Sequence, residues 1–137
     1  MNEYEEQVLE CHKAFGVAEH KPFTKDLLTL RKTLIAEETK ELFDEIDSAI
    51  SEVETGAVVS HETFERLMKE IADLQYVLSG MVVTFGLPMQ EAFRRVHQSN
   101  MSKLGPDGKP IFREDGKYIK GPNYKKPNLS DLSQDIL

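Results

Sequence analysis

The sequence predicts an all-α fold: an antiparallel four-helix bundle followed by a loop-rich, basic C-terminal tail that carries a short β-hairpin. Three observations carry that expectation. Apolar residues recur at helical spacing over about the first hundred positions. Each periodic segment is punctuated by a capping residue or a glycine. Beyond Gly105 the periodicity gives way to a stretch rich in Gly, Pro and Asn.

The first helix is expected from about Glu3 to Phe15, with Val8 and Leu9 among its apolar positions and Gly16 as its stop. After the loop "VAEHKPF", Thr24 is the expected N-cap of a long second helix that reaches about Glu54 and ends at Thr55-Gly56. Ser60 caps a third helix from His61 to about Phe85, carrying Phe64, Leu67, Ile71, Leu74, Leu78 and Met81, and Gly86 closes it. Pro88 suits the first turn of a fourth helix bearing Ala92, Phe93 and Val96, which is expected to end near Leu104-Gly105. Four such helices form an antiparallel bundle. In the tail, Asp115-Gly116 between the runs "PIFR" and "KYIK" marks the hairpin turn. A helical core over residues 1–104 and a basic extension over 105–137 are therefore expected. From Val77 to Phe85 the third helix is apolar nearly all round, which predicts burial on more than one side, as core or subunit contact.

Composition removes several classes of function. A chain of 137 residues is most simply one domain, long enough to bury roughly two-thirds of its unfolded surface. A net charge of −7 disfavours a general nucleic-acid binder. The single cysteine, Cys11, excludes an internal disulfide and a Cys-rich zinc site, and it reads as a small packing residue. His12, His20, His61 and His97 are scattered without metal-ligand spacing. The acidic N-terminus lacks the apolar core of a signal peptide, and no run approaches the roughly 18 apolar residues of a membrane span, so no membrane partner and a cytoplasmic location are expected. Charge is unevenly distributed. Residues 103–126 hold seven Lys or Arg against three acids, a balance of +4, and the rest hold ten against 21, or −11.

The chemistry lies in acids set into apolar stripes. On a helical projection Glu38, Glu41 and Glu45 share a sector with Leu27, Leu34 and Leu42, and Glu70 falls among Leu67, Leu74, Val77 and Met81, with Asp73 at the edge. Glu38 and Glu41 are three apart, as are Glu70 and Asp73, so each pair shares one side of its helix. If the apolar faces pack together, four carboxylates converge. Several ionised carboxylates in a low-dielectric seam must take up protons, pair with cations or bind metal. Few basic residues project from these stripes, although Arg31 could pair with one acid. All-oxygen ligation favours Mg²⁺, with Mn²⁺ as a substitute, over zinc. Glu37 projects about 100° from Glu38, at the edge of the stripe, suited to a second metal or to general-base work on water. Glu45 shares the stripe without an assigned role, either a flanking surface acid or the partner of an arginine.

"EETKE" at 37–41 and "EIAD" at 70–73, with 28 residues between them, resemble the paired E-E-x-x-E and E-x-x-D signature of the all-α nucleotide pyrophosphohydrolases, which include MazG, the dimeric dUTPases and phosphoribosyl-ATP pyrophosphohydrolase. The stretches "VHQSNMSK" and "DGKYIKGPNYKKPNL" resemble one MazG-like branch implicated in cleaving dUTP and related pyrimidine triphosphates. The resemblance implies hydrolysis of a nucleoside triphosphate between its α- and β-phosphates, releasing the monophosphate and pyrophosphate. Glu38, Glu41, Glu70 and Asp73 would be metal ligands, and Glu37 the group that handles water. Asn100, Lys103, Lys120 and Tyr124 would be substrate contacts, and the assembly a homodimer or a dimer of dimers. Two alternatives stand beside this one: phosphoribosyl-ATP hydrolysis in histidine synthesis, and a non-catalytic helical binding or regulatory module whose acids hold a structural cation.

Overall fold

Every helix starts at a residue whose side chain or ring suits a helix N-terminus, and its length follows from how the last turn is closed. The computed structural model describes residues 1–133. Helix α1 spans Glu3–Phe15, α2 Lys25–Glu54, α3 His61–Phe85 and α4 Met89–Met101. Asn2 and Glu5 form a capping box at the start of α1, the Glu5 amide donating to Asn2 Oδ1 (2.9 Å) and the Asn2 amide to Glu5 Oε2 (2.6 Å). Thr24 Oγ1 accepts from the Leu27 amide at the start of α2, and Ser60 Oγ from the Thr63 amide at the start of α3. Gly16 and Gly86, both left-handed, close α1 and α3. The fourth helix stops at Met101, short of the expected Leu104. From there the Ser102, Lys103 and Leu104 amides bond to carbonyls three residues back, tightening the chain out of the α-helix.

The chain forms two compact units, Met1–Leu87 and a second that begins at Pro88. In the first, α3 packs against both α2 and α1. Helices α2 and α3 run antiparallel: Arg31 meets Val77, Glu45 meets Arg66, and Glu52 meets Ser60. Helix α1 runs alongside α3 in the same direction, Tyr4 lying near Met68 and Ile71, and Cys11 near Tyr76. The loop after α1 is tied to the end of α3, the His20 and Lys21 amides donating to the Val83 and Thr84 carbonyls. Phe23 packs on Phe85 with ring centroids 4.6 Å apart. The fully buried apolar core is small: Val8, Val82, Val83 and Phe85. Two apolar stripes face outward. Phe43, Ile46, Ile50 and Val53 line one side of α2, and Phe64, Met68, Ile71 and Leu78 one side of α3. No single helix among the described residues is long and apolar enough to cross a membrane.

In the second unit, β1 (Ile111–Phe112) pairs antiparallel with β2 (Tyr118–Ile119), in the register Ile111 opposite Ile119 and Phe112 opposite Tyr118. Its turn uses Asp115-Gly116, with Gly116 at φ 85°. The following strap is fastened to α4. Ser99 Oγ donates to the Lys125 carbonyl, the Lys125 amide donates to Ser102 Oγ, and Arg95 makes a two-pronged ion pair with Asp131 before a short 3₁₀ turn, Ser130–Ser133, ends the described chain.

Gly80 is a point of close approach between α2 and α3. A Cβ built there would lie 2.0 Å from Arg31 Nη2, and Arg31 is only 4% exposed. Gly80→Ala is therefore expected to displace the guanidinium from the Val77 carbonyl and to cost about 1–3 kcal/mol in urea denaturation. Introducing the same change into an Arg31→Met background should cost clearly less, which a double-mutant cycle measures.

Candidate metal centre

Residues along the α2–α3 seam are arranged so that polar groups meet polar groups from end to end. At one end Arg31 Nη2 donates to the Val77 carbonyl (3.0 Å). At the other, the Glu52 carboxylate accepts from the Ser60 amide (2.9 Å), the Ser60 hydroxyl (3.0 Å) and the Thr63 hydroxyl (2.7 Å). Those bonds, made at a helix N-terminus, hold Glu52 below the usual carboxylate range. One turn inward, Arg66 Nε donates to Glu45 (3.0 Å) and Arg66 Nη2 to Thr63 Oγ1 (3.1 Å). Glu45 is thereby accounted for: it is the partner of Arg66. The expectation that Arg31 could pair with an acid gives way to a different arrangement, because its guanidinium is held by a backbone carbonyl against Gly80.

Between these two ends lie Glu38, Glu41, Glu70 and Asp73. Each offers an oxygen within 4.8 Å of the others, and three of the four residues are partly buried. Glu38 Oε2 and Glu70 Oε2 are buried and have no hydrogen-bond partner among the described residues. An orphaned, buried carboxylate oxygen is costly, and two of them in one cluster fit the lining of a cation site. Oxygens this close, drawn from both helices, would suit a hard divalent ion that also keeps water or phosphate oxygens as ligands. The donor set is all oxygen, which suits a hard divalent ion. Burial above all, followed by hydrogen bonding to Glu41 and the negative charges of Glu41, Asp73 and Glu70, pushes the Glu38 carboxyl above its ordinary range.

Of the other residues singled out in the sequence, Glu37 is exposed on α2 and stands outside the cluster of four. Asn100, Lys103, Lys120 and Tyr124 belong to the second unit. Lys103 and Lys120 approach the Tyr124 ring from 6.0 and 4.8 Å, and Lys103 also lies 5.5 Å from the Tyr118 ring. Asn100 and Lys103 line one apolar cavity of about 290 Å³ with Leu104, Pro110, Tyr118 and Ile119. Sequence reasoning overlooked Lys69, whose ammonium lies 2.7 Å from Asp73 Oδ2 and 3.4 Å from Glu70 Oε1. The spacing of Lys69 and Asp73, one helical turn, was the available signal.

The family model for phosphoribosyl-ATP pyrophosphohydrolase matches residues 8–100, a span that contains all four carboxylates. Comparison with curated proteins yields no match. Among solved structures, the chain is similar to a candidate NTP pyrophosphohydrolase from Exiguobacterium sp. 255-15, with 27% identity, a TM-score of 0.47, and coverage of 98% of this chain and 94% of that one.

The raised Glu38 carboxyl has a consequence for stability. A carboxyl that binds its proton more tightly in the folded state favours folding below its unfolded pKa of 4.5 and loses that contribution as pH rises through the folded value. Glu38→Gln is therefore expected to raise the melting temperature of the EDTA-treated protein by a few degrees at pH 8 and to change it little near pH 4.5. Thermal circular dichroism at the two pH values reads this, and a lower melting temperature at pH 8 would contradict it.

Proposed function

The chain belongs to the phosphoribosyl-ATP pyrophosphohydrolase family, within the MazG-like all-α NTP pyrophosphohydrolases, and from that premise we propose a Mg²⁺-dependent hydrolase of the cytoplasmic nucleotide pool. It cleaves a nucleoside triphosphate, dUTP or another pyrimidine deoxynucleotide, between the α- and β-phosphates and releases the monophosphate and pyrophosphate. The observation that supports this most directly is the four-carboxylate cluster with its two orphaned oxygens.

In this reading Glu38, Glu41, Glu70 and Asp73 hold the ion and leave coordination positions open for phosphate and water. The bound ion supplies screening of the polyphosphate charge and polarisation of the phosphoryl group. Glu37, solvent-exposed and next to Glu38 in the chain, takes the proton from the attacking water. Asn100, Lys103 and Lys120 donate to phosphate oxygens, where charge-assisted hydrogen bonds neutralise the charge gathering on the leaving pyrophosphate. Tyr124 keeps the two ammonium groups together through its ring face. The family match itself favours a second substrate, phosphoribosyl-ATP, whose cleavage also yields pyrophosphate. The exposed stripes on α2 and α3 support burial against a second copy of the chain, as a homodimer or a dimer of dimers.

A panel of nucleoside triphosphates and phosphoribosyl-ATP, incubated with Mg²⁺ and assayed for both pyrophosphate and orthophosphate, decides substrate and bond together. Pyrophosphate from dUTP or a related pyrimidine nucleotide is the expected result; orthophosphate in its place would refute α–β cleavage, and turnover of phosphoribosyl-ATP alone would select the second substrate. Glu41→Gln and Asp73→Asn are each expected to lower turnover by roughly 100-fold or more; Glu41→Gln is also expected to melt no lower than the wild type in EDTA, because it removes one of four mutually repelling charges. Ile50→Glu, which places a charge in the outward stripe of α2, is expected to reduce the assembly to a monomer in light scattering.

A further inference from the structure

Resting on the metal reading of the seam, we infer that Lys69 is a tethered counterion of the carboxylate centre, holding Asp73 and Glu70 until a divalent ion displaces its ammonium, which then engages phosphate. The ammonium contacts both acids along a single turn of α3, at 2.7 Å from Asp73 Oδ2 and 3.4 Å from Glu70 Oε1. The lysine side chain is 65% exposed and that of Glu70 only 13%, so the flexible stem can leave while the carboxylates stay in place. Its hold on the centre is incomplete. One positive charge faces four carboxylates, and Glu38 Oε2 and Glu70 Oε2 remain buried without partners.

The centre therefore calls for more positive charge than Lys69 brings, yet it cannot keep both cations cheaply. A divalent ion held by Asp73 would share that carboxylate with the Lys69 ammonium, and two cations on one carboxylate repel each other strongly. Lys69 leaves and the ion stays, because the ion satisfies oxygens from both helices and the ammonium only those of α3. The other cations on the seam are committed elsewhere. Arg66 is bonded to Glu45 and Thr63, and Arg31 is buried against the Val77 carbonyl. Once displaced, the Lys69 ammonium stands at the rim of the centre, within reach of a phosphate group that shares the ion, and the two opposite charges pair there.

The test measures Mn²⁺ binding to the metal-stripped full chain by electron paramagnetic resonance. It compares the wild type with Lys69→Met, Lys69→Gln and Lys13→Met; the last removes the same charge from an exposed position on α1. Both Lys69 variants are expected to bind Mn²⁺ about tenfold more tightly, with unchanged circular dichroism. Their Mn²⁺-loaded forms should bind inorganic pyrophosphate several-fold more weakly, and Lys13→Met should alter neither affinity. Unchanged or weaker Mn²⁺ binding by the folded Lys69 variants, an equal gain in Lys13→Met, or unaltered pyrophosphate binding would overturn the role of Lys69 and leave the metal centre standing. A wild-type chain that binds no Mn²⁺ would remove the metal reading and this inference with it.

Discussion

Packing a carboxylate-rich stripe of α2 against a carboxylate-rich stripe of α3 is the constraint around which the first unit is organised. Arg31, Glu38, Glu45 and Glu52 recur every seven residues on α2, and Thr63, Arg66, Glu70, Asp73, Val77 and Gly80 follow steps of three and four on α3. This is the spacing of a coiled-coil seam, in which such positions are ordinarily apolar. Here most are polar, and each level solves the cost of desolvation in its own way. The Arg31 level uses a backbone carbonyl, the Glu45 level an arginine, and the Glu52 level the open amide and hydroxyls of a helix N-terminus. The Glu38–Glu41–Glu70–Asp73 level alone among these is left short of positive charge. In the proposed function that unmet demand is what makes the seam a metal site.

A seam of this kind contributes little hydrophobic stabilisation, since each fully buried apolar side chain is worth roughly 1.5–3 kcal/mol and four such side chains make up the core. The unit compensates through local devices. The capping box fastens the start of α1, the Ser60–Thr63–Glu52 junction ties the end of α2 to the start of α3, and the amides of His20 and Lys21 fasten the end of α3. Much of the remaining apolar surface faces outward in two stripes. In the proposed function a second copy of the same chain would cover them.

The uneven charge of the sequence takes on a meaning in this setting. An acidic helical region repels a polyphosphate unless cations intervene, and the basic residues of the tail alone do not cancel the carboxylates of the seam. In the proposed function a divalent ion would supply two positive charges at the point of greatest need. Lys69 would add a third kind of cation, attached to the chain and able to change partners. Substrate, ion and lysine would then share one electrostatic balance, with affinity for each depending on the presence of the others.

Much of this was legible in the sequence, and the limits of that legibility have a physical cause. Cap residues and glycines act within a few positions of themselves, so Thr24, Ser60, Gly16 and Gly86 marked the helix ends, and Asp115-Gly116 marked the hairpin. Helical periodicity is also local, and it was enough to put Glu38 with Glu41 and Glu70 with Asp73 on inward-facing stripes, which the structure brings together. The end of α4 was misplaced by three residues because the tightening turn after Met101 carries no glycine or proline. Which residue meets which across the seam was beyond periodicity, because it depends on how far α2 slides along α3. That register lays Arg31 over Gly80, pairs Glu45 with Arg66, gives Arg31 a carbonyl partner, and leaves four carboxylates facing one another with Lys69 beside them. The sequence by itself determined the helices and the face each acid occupies; only the tertiary structure decided the partners, because partnership is a property of two helices and the sequence pattern describes one at a time.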